Sequence, residues 1–424
     1  MRLLREHSGK MRILHLVHRS WPYHGGAERY VMEHALAGLE RGHSSVIATT
    51  DAWDMSWLVS RSGRHIERAG DMHRGVSIMR FPVRHPPLQD LLRGMLRRVA
   101  GCGADRFYYP NPFVPSLERW LSADRGFDLV HANAMPFMLH GGWKYATRNG
   151  CGLVSVPHAN VGEKYRRVRA LDYFAGCQER ILRESSFVVA QSAFENGLYR
   201  EMGIPGERIH ISGSGIDPSE FEGAEGGRAR KRLGLSGPLL VSLTGHSCDR
   251  GTAEMLTAFG RLAGQGHEGT LVLAGPVMPD ALEYLGSRVE EDPSLRGRVV
   301  LTGYVPREER LDLLAAAETV LLPSRLDCFG IVVLEAWMLK KPVLGCWSGA
   351  MPDLIEDGKD GFLVPFGDPA TLAHRIGLLS VSPDMRASMG DAGRGKVLGK
   401  WTWKRVTGRF YRRVAQCRAG ERAE

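Results

Sequence analysis

The chain has no cysteine pair spaced two residues apart. Its seven cysteines, at 102, 151, 177, 248, 328, 346 and 417, form an odd and scattered set. That pattern indicates neither a disulfide framework nor a zinc site, and it fits a reducing cytoplasm. No apolar run approaches the roughly 18 residues that a membrane-spanning helix needs. The stretch Ile13-Leu14-His15-Leu16-Val17 is too short for the apolar core of a signal peptide. Acid is in deficit: 47 Asp and Glu against 56 Lys and Arg give a formal charge of +9, which favours anionic partners such as nucleotide diphosphates or acidic phospholipid. No RNA-recognition, zinc-finger or helix-turn-helix signature accompanies that surplus, so no nucleic-acid partner is expected. A dinucleotide fingerprint is missing as well. Neither Gly25-Gly26-Ala27-Glu28-Arg29 nor Gly213-Ser214-Gly215-Ile216-Asp217-Pro218 supplies the third glycine, which counts against a nicotinamide enzyme. No residue triplet with metal-ligand spacing appears.

What is present is a long globular composition. With 424 residues, 43% of them hydrophobic, the chain can bury a substantial core over two to three domains. Its 51 glycines suit an α/β protein whose short turns bring backbone close to ligands. Strand and helix signals alternate, which predicts parallel sheets with helical crossovers. After a polar extension over 1–10, residues 11–17 read as the first strand. Gly25 and Gly26 follow, and Val31, Met32, Ala35, Leu36 and Leu39 then share one helical face. Further strands are expected at 43–49, 76–81, 128–131, 152–157 and 186–191, the last leading into a helix through 202. Residues 218–231, polar and rich in Gly and Arg, read as an interdomain connection. Beyond them the alternation restarts, with strands at 239–243, 270–273, 299–301, 319–322 and 342–345. Helices are expected at 252–262, 308–317, 331–338 and 370–379, and a last amphipathic helix begins near Trp401. Two doubly wound halves without internal repeat fit this order better than one large sheet.

The most informative stretch runs from Ser324 to Ala336 and carries Asp327 and Glu335 at the ends of an apolar segment. A strand leads in and a helix carries the second acid. In a parallel α/β sheet, the C-terminal edge of a strand and the following helix N-terminus form the usual ligand crevice. An acid on that loop can meet a hydroxyl-rich ligand, and one on the helix can hold a ribose diol. Read alone, the pair is equally a solvated helix-entry acid followed by a helical Glu. The seven-residue spacing and the flanking Phe329-Gly330 and Val333-Leu334-Glu335-Ala336 resemble the E-x7-E element of retaining GT-B glycosyltransferases of the family 4 type. Asp327 stands for the first Glu, a shorter reach with the same charge.

The resemblance covers roughly 11–415, is most specific over 299–365, and thins over 51–127. It implies two Rossmann-like doubly wound parallel-sheet domains facing a cleft. The first spans 11–217 on the acceptor side, the second 218–395 binds the nucleotide sugar, and residues 396–424 cross back to the first. It implies transfer of a hexosyl unit from a nucleotide-diphosphate sugar, with retention, to a glycan, lipid-linked or small-molecule acceptor. It implies no cofactor or metal beyond the sugar donor. Asp327, Glu335 and His158, the last at the end of Gly152-Leu153-Val154-Ser155-Val156-Pro157-His158, would be the catalytic set. His131 would support the site from behind it. Donor contacts would come from Gly25, Gly26, Gly245, His246 and Arg250, and from the run Cys328, Phe329, Gly330, Ile331, Val332. Read from the residues alone, the Gly25-Gly26 turn is a packing device or an anion site at a helix N-terminus. Similarly, a lone histidine after a strand is structural or functional.

Departures from the pattern are concentrated in the phosphate clamp. Arg250-Gly251 stands where Lys-Gly is usual, and Arg can hold a diphosphate in a bidentate manner. The preceding Arg is replaced by His246, which removes a full charge if the ring is neutral. This substitution motivates the alternative of a non-catalytic nucleotide-sugar- or glycan-binding relative; a GT-B epimerase is a third possibility. Trp347 to Asp353 resembles a Gly-Gly-x-Pro-Glu segment with Asp for Glu, and Asp357 to Gly361 reads as a structural turn entering a strand. In the thin region, Leu88, Leu91, Leu92, Met95, Leu96 and Val99 form an apolar stripe opposite Arg93, Arg97 and Arg98. That helix either packs on its own domain or lies on the inner face of an anionic membrane.

Overall fold

The computed structural model describes residues 9–23, 25–86, 112–135, 137–159 and 176–421. The expected basic helix over 88–99 and the charged stretch 163–169 lie outside the described residues. The chain divides into two compact units. The described residues up to 213, together with 404–421, form the first, and residues 214–403 form the second.

The first unit is built on β1 (Arg12–Leu16), β2 (Ser44–Thr50), β3 (Gly70–His73), β4 (Val76–Phe81), β5 (Leu129–Asn133), β6 (Gly152–Val156), β7 (Phe187–Ala190) and β8 (Ile209–Ile211). Their order in the sheet is β3-β4-β2-β1-β5-β6-β7-β8. Every pairing is parallel except β3 with β4. The central strands β1, β5 and β6 are buried along almost their whole length, as strands in the middle of a parallel sheet are. The antiparallel exception is a tight hairpin whose two turn residues, Arg74 and Gly75, both have positive φ. The chain moves outward from β1 in one direction through β2 and in the other through β5. The switch point therefore falls between β1 and β5, where ligands gather in open α/β sheets.

The helix Trp403–Glu421 closes this unit. Phe410 packs 4.7 Å from the His34 ring and 4.8 Å from that of His131, and Tyr411 donates a hydrogen bond to the His34 carbonyl at 2.8 Å.

The second unit contains β9 (Leu239–Leu243), β10 (Thr270–Ala274), β11 (Val299–Gly303), β12 (Thr319–Leu322), β13 (Val343–Cys346) and β14 (Gly361–Val364). Their order is β11-β10-β9-β12-β13-β14, all parallel. Its switch point lies between β9 and β12. The loops that follow those two strands, 244–251 and 323–330, are therefore brought side by side by topology alone.

Residues 218–231 are not a bare connection. They form a 3-10 turn, Pro218–Phe221, and the start of the helix Gly226–Leu233. Ala229 is buried, and a side chain at Gly226 would meet the Ala316 backbone at 2.8 Å. Arg228 pairs with Asp312 on the helix Arg307–Ala316 at 2.6 Å. The arginines that resemble a solvated linker are the polar side of a packed helix. No described helix is long and apolar enough to cross a membrane.

Candidate active site

At the switch point of the second unit, the sequence after β9 makes one tight turn, Cys248–Arg250, and then enters the helix Thr252–Gly264 through Gly251. Gly251 has φ +77°, and a Cβ there would lie 2.4 Å from the Pro323 carbonyl oxygen just past β12. Only glycine lets the two loops approach so closely. The Arg325 amide donates to the Asp249 carbonyl at 3.2 Å, knitting the loops together. Two crossed ion pairs complete the join. Arg325 Nε meets Asp249 at 2.9 Å, and the Arg250 guanidinium holds the Asp327 carboxylate. The structure thus joins two of the candidate residues directly, the cation expected at the diphosphate and the acid expected at the sugar.

A third segment, after β13, packs onto the same loop. The Ala350 amide donates to the Asp327 carbonyl at 3.2 Å and the Ser348 hydroxyl to that of Arg325 at 3.3 Å. Gly349, at φ +57°, passes so near that a Cβ would sit 2.9 Å from the Asp327 oxygen. The backbone carbonyl of Asp327 is held by this segment while its side chain stays partly exposed.

Past Cys328, Phe329 is buried with its ring 5.1 Å from Trp401. Gly330, at φ +93°, is the N-cap of the helix Ile331–Met338, so the Ile331 and Val332 amides lie in its first turn. Four residues further along, Glu335 is fully buried. One of its oxygens accepts from the Arg310 guanidinium, and the other, Oε2, is buried with no hydrogen-bond partner.

Gly245 and His246 behave differently from each other. A Cβ at Gly245 would make ordinary van der Waals contact with Pro276 and Met278, the first neighbour lying at 3.9 Å, so a small side chain would fit there without a clash. His246 is fully buried, with its backbone bonded to Pro276 and Met278 at 2.8 Å each. Burial pushes its pKa down to about 4, so near pH 7 the ring is neutral. His246 is therefore no substitute for a clamp cation.

In the first unit, Gly25 caps the helix Gly26–Glu40 with extended backbone. A Cβ at Gly25 would collide with Glu28 Oε2 at 2.2 Å. Glu28 pairs with Arg19 at 2.9 Å, and Arg19 lies 4.0 Å from the Tyr23 ring centre. This arrangement gives the Gly25-Gly26 turn a local packing role.

His158 follows β6 with φ +50°, in the left-handed region. Its Nε2 is 3.3 Å from Asn133 Oδ1 at the end of β5, and the Tyr30 ring meets it edge-on at 5.3 Å. Burial lowers its pKa to about 4. Glu195 Oε1 accepts the Ala159 amide at 2.8 Å and its Oε2 the Gln191 amide at 2.7 Å. That carboxylate therefore anchors the residue directly after the strained His158. Burial raises its pKa to about 8, against the pull of those two amides. Behind His158 lies a buried imidazole cluster. His131 Nδ1 is 3.0 Å from His15 Nδ1, so one ring donates while the other accepts. His34 Nδ1 donates to the Tyr30 carbonyl at 2.7 Å.

Arg310, Arg325, Asp249, Asn133 and Glu195 are residues the sequence alone did not single out. Ser192 and Glu195 have capping-box spacing, and Ser192 Oγ does accept the Glu195 amide at 3.2 Å. Nothing local announces that the carboxylate also reaches Ala159. Among the described residues, no group of three or more His, Cys, Asp or Glu side chains is placed to hold a metal ion.

Comparison with known proteins bears on the family and the fold. Residues 24–220 match the model for "Glycosyltransferase Family 4" and residues 236–396 that for "Glycosyl transferases group 1". The D-inositol 3-phosphate glycosyltransferase of Streptomyces scabiei (strain 87.22) is 28% identical over 296 residues, 65% of each chain. The alpha-D-kanosaminyltransferase of Streptomyces kanamyceticus is 28% identical over 231 residues, 53% of this chain and 58% of that one. The chain thus matches under two thirds of the length of these relatives. Anabaena HepE, solved with UDP and glucose, superposes with TM-score 0.73 at 18% identity, over 96% of this chain and 100% of that one. Sucrose-phosphate synthase from Thermosynechococcus elongatus superposes with TM-score 0.73 at 19% identity, over 96% and 99%. At such identities the structures speak for the fold. The chain belongs to the GT-B glycosyltransferases of group 1.

Proposed function

We propose that this chain transfers a hexosyl unit from a nucleotide-diphosphate sugar to an acceptor hydroxyl with retention at the anomeric carbon. The observation that carries the reading is the meeting of Arg250 and Asp327 at the switch point of the second unit. An arginine beside the ligand edge of a parallel sheet suits a diphosphate, and a carboxylate beside it suits sugar hydroxyls. Glu335, with one buried oxygen uncommitted, suits a ribose diol. Solved relatives carry such ligands: HepE was crystallised with UDP-glucose, and starch synthase IV of Arabidopsis thaliana with ADP and acarbose.

Each group then has a task. Arg250 exchanges its bond to Asp327 for the diphosphate and takes up the charge that develops as the leaving group departs. Asp327, released, accepts from sugar hydroxyls. The first-turn amides of Ile331 and Val332 add partial positive charge. His158, neutral and steadied by Asn133, is assigned the contact with the transferred sugar. The acceptor hydroxyl enters on the face from which the phosphate leaves, so configuration is kept.

The test is incubation with UDP-glucose, GDP-mannose and ADP-glucose, with and without glycan, lipid-linked and small-molecule alcohol acceptors. Nucleoside diphosphate release is followed, and the anomeric configuration of the product is read by NMR. Acceptor-dependent release with a retained product supports the reading. Binding without release, rescued by His246→Arg, would make the chain a non-catalytic relative with a lapsed clamp. Sugar conversion without any acceptor would make it an epimerase.

A further inference from the structure

We infer that Arg310 is a positioning residue for the nucleoside end of the donor, fixing Glu335 so that one carboxylate oxygen stays free for the ribose diol. The inference rests on the proposed function and concerns the same site. Glu335 is completely buried in the middle of the helix Ile331–Met338. Its counter-charge arrives from another element, the first turn of the helix Arg307–Ala316, which follows β11. Both helices begin at the C-terminal edge of the sheet, where ligands are held.

The pairing is one-sided. A salt bridge whose only task is cohesion does best with two parallel bonds between guanidinium and carboxylate. Here Arg310 meets Oε1 through Nη2, while Oε2 and the Arg310 Nε are both buried without a hydrogen-bond partner. Buried polar atoms are nearly always satisfied, so an orphaned carboxylate oxygen calls for a donor that arrives from elsewhere. A ribose hydroxyl supplies such a donor, and its vicinal neighbour a second. Arg310 itself is 30% exposed, so the pair is open to solvent from the Arg310 side. Its roles are to neutralise a carboxylate that would otherwise be buried alone and to set the plane in which Oε2 points.

The test compares UDP, GDP and ADP with their 2′-deoxy counterparts by calorimetry, on the wild type, Arg310→Gln and Arg310→Lys. A hydroxyl donating to a charged acceptor is worth roughly ten- to hundredfold in affinity. The wild type is expected to prefer the ribonucleotide by that factor, for whichever base it binds. In Arg310→Gln the preference falls below about threefold. Arg310→Lys, which keeps a cation but loses the planar fork, lies between and carries the test if the Gln variant does not fold. An equal loss of affinity for both sugars, with the ratio preserved, would show Arg310 to be merely structural and overturn the inference while leaving the donor reading intact. A wild type indifferent to the 2′-hydroxyl, or binding none of the nucleotides, would overturn the ribose assignment of Glu335 and this inference with it.

Discussion

Lowering the pH from 7.5 to 5 is expected to destabilise the first unit severely, through histidines that are buried or half-buried. His15 and His34 have pKa values lowered to about 3, and His18 and His158 to about 4, in each case chiefly by burial. In the unfolded chain the same groups titrate near 6.5. The unfolded state therefore binds more protons between the two values. Stability is fully present above 6.5 and drains away as the pH falls below it. At pH 5 each of these groups costs about 2 kcal/mol, whether its folded value is 3 or 4, so the four together cost about 8 kcal/mol. Glu195 acts in the opposite sense. Its folded value is raised to about 8, so stability is lost as the pH rises through that value, and acidification from 7.5 to 5 returns about 3 kcal/mol. His131, His140 and His210, lowered by burial too, act in the same sense as the other histidines. The five groups above alone give a net loss of about 5 kcal/mol, against a total stability of about 5–15 kcal/mol. In a unit of this size such a loss lowers the melting midpoint by about 10–20 °C. Melting curves by circular dichroism across that pH range measure it. A midpoint at pH 5 equal to or above that at 7.5 would refute the reasoning, because it would mean these rings are protonated in the folded state without cost.

Other substitutions probe particular joins. Glu195→Gln keeps one acceptor and turns an amino group toward a backbone amide, so it should cost about 1–3 kcal/mol of stability. Turnover is expected to fall more than donor affinity, since His158 is the group set loose; a thermal melt paired with donor titration measures both. Arg250→Ala should weaken nucleoside diphosphate binding by roughly ten- to hundredfold in calorimetry. Asp327→Asn, which frees Arg250 from its internal partner, should bind the diphosphate as well as the wild type or better while sugar transfer falls. Gly251→Ala should lose about 1–3 kcal/mol in denaturant unfolding, because its φ of +77° and the 2.4 Å approach to Pro323 exclude a side chain.

Much of the sheet was legible because buried parallel strands are short continuous apolar runs. Leu239 to Leu243 and Thr319 to Leu322 have the bounds expected from sequence. The hairpin strand Gly70–His73 was not, because its turn is Arg74-Gly75 rather than an asparagine- or aspartate-glycine pair, and its residues alternate without strong apolar character. The helix Gly226–Leu233 was hidden by its arginines, whose partner Asp312 lies far along the chain. At the site, Asp327 and Glu335 could be picked out because their spacing reflects one loop and one helix. Their counter-ions Arg250 and Arg310 reach them from other strands' loops and helices, and no local pattern pairs them. Glu195 follows the same rule: its capping box was readable, but its hold on Ala159 depends on β6 and β7 lying side by side.

On the proposed function, the second unit binds a nucleotide sugar through Glu335. The most direct measurement is a thermal-shift panel of UDP, GDP, ADP and their common sugar conjugates against the wild type and Glu335→Ala. A ligand that binds only the folded protein raises the midpoint with the logarithm of its saturation. One nucleotide family is expected to stabilise the wild type, and Glu335→Ala is expected to abolish the shift. A wild type unmoved by every nucleotide at millimolar concentration would contradict that reading, as would a shift that survives intact in Glu335→Ala.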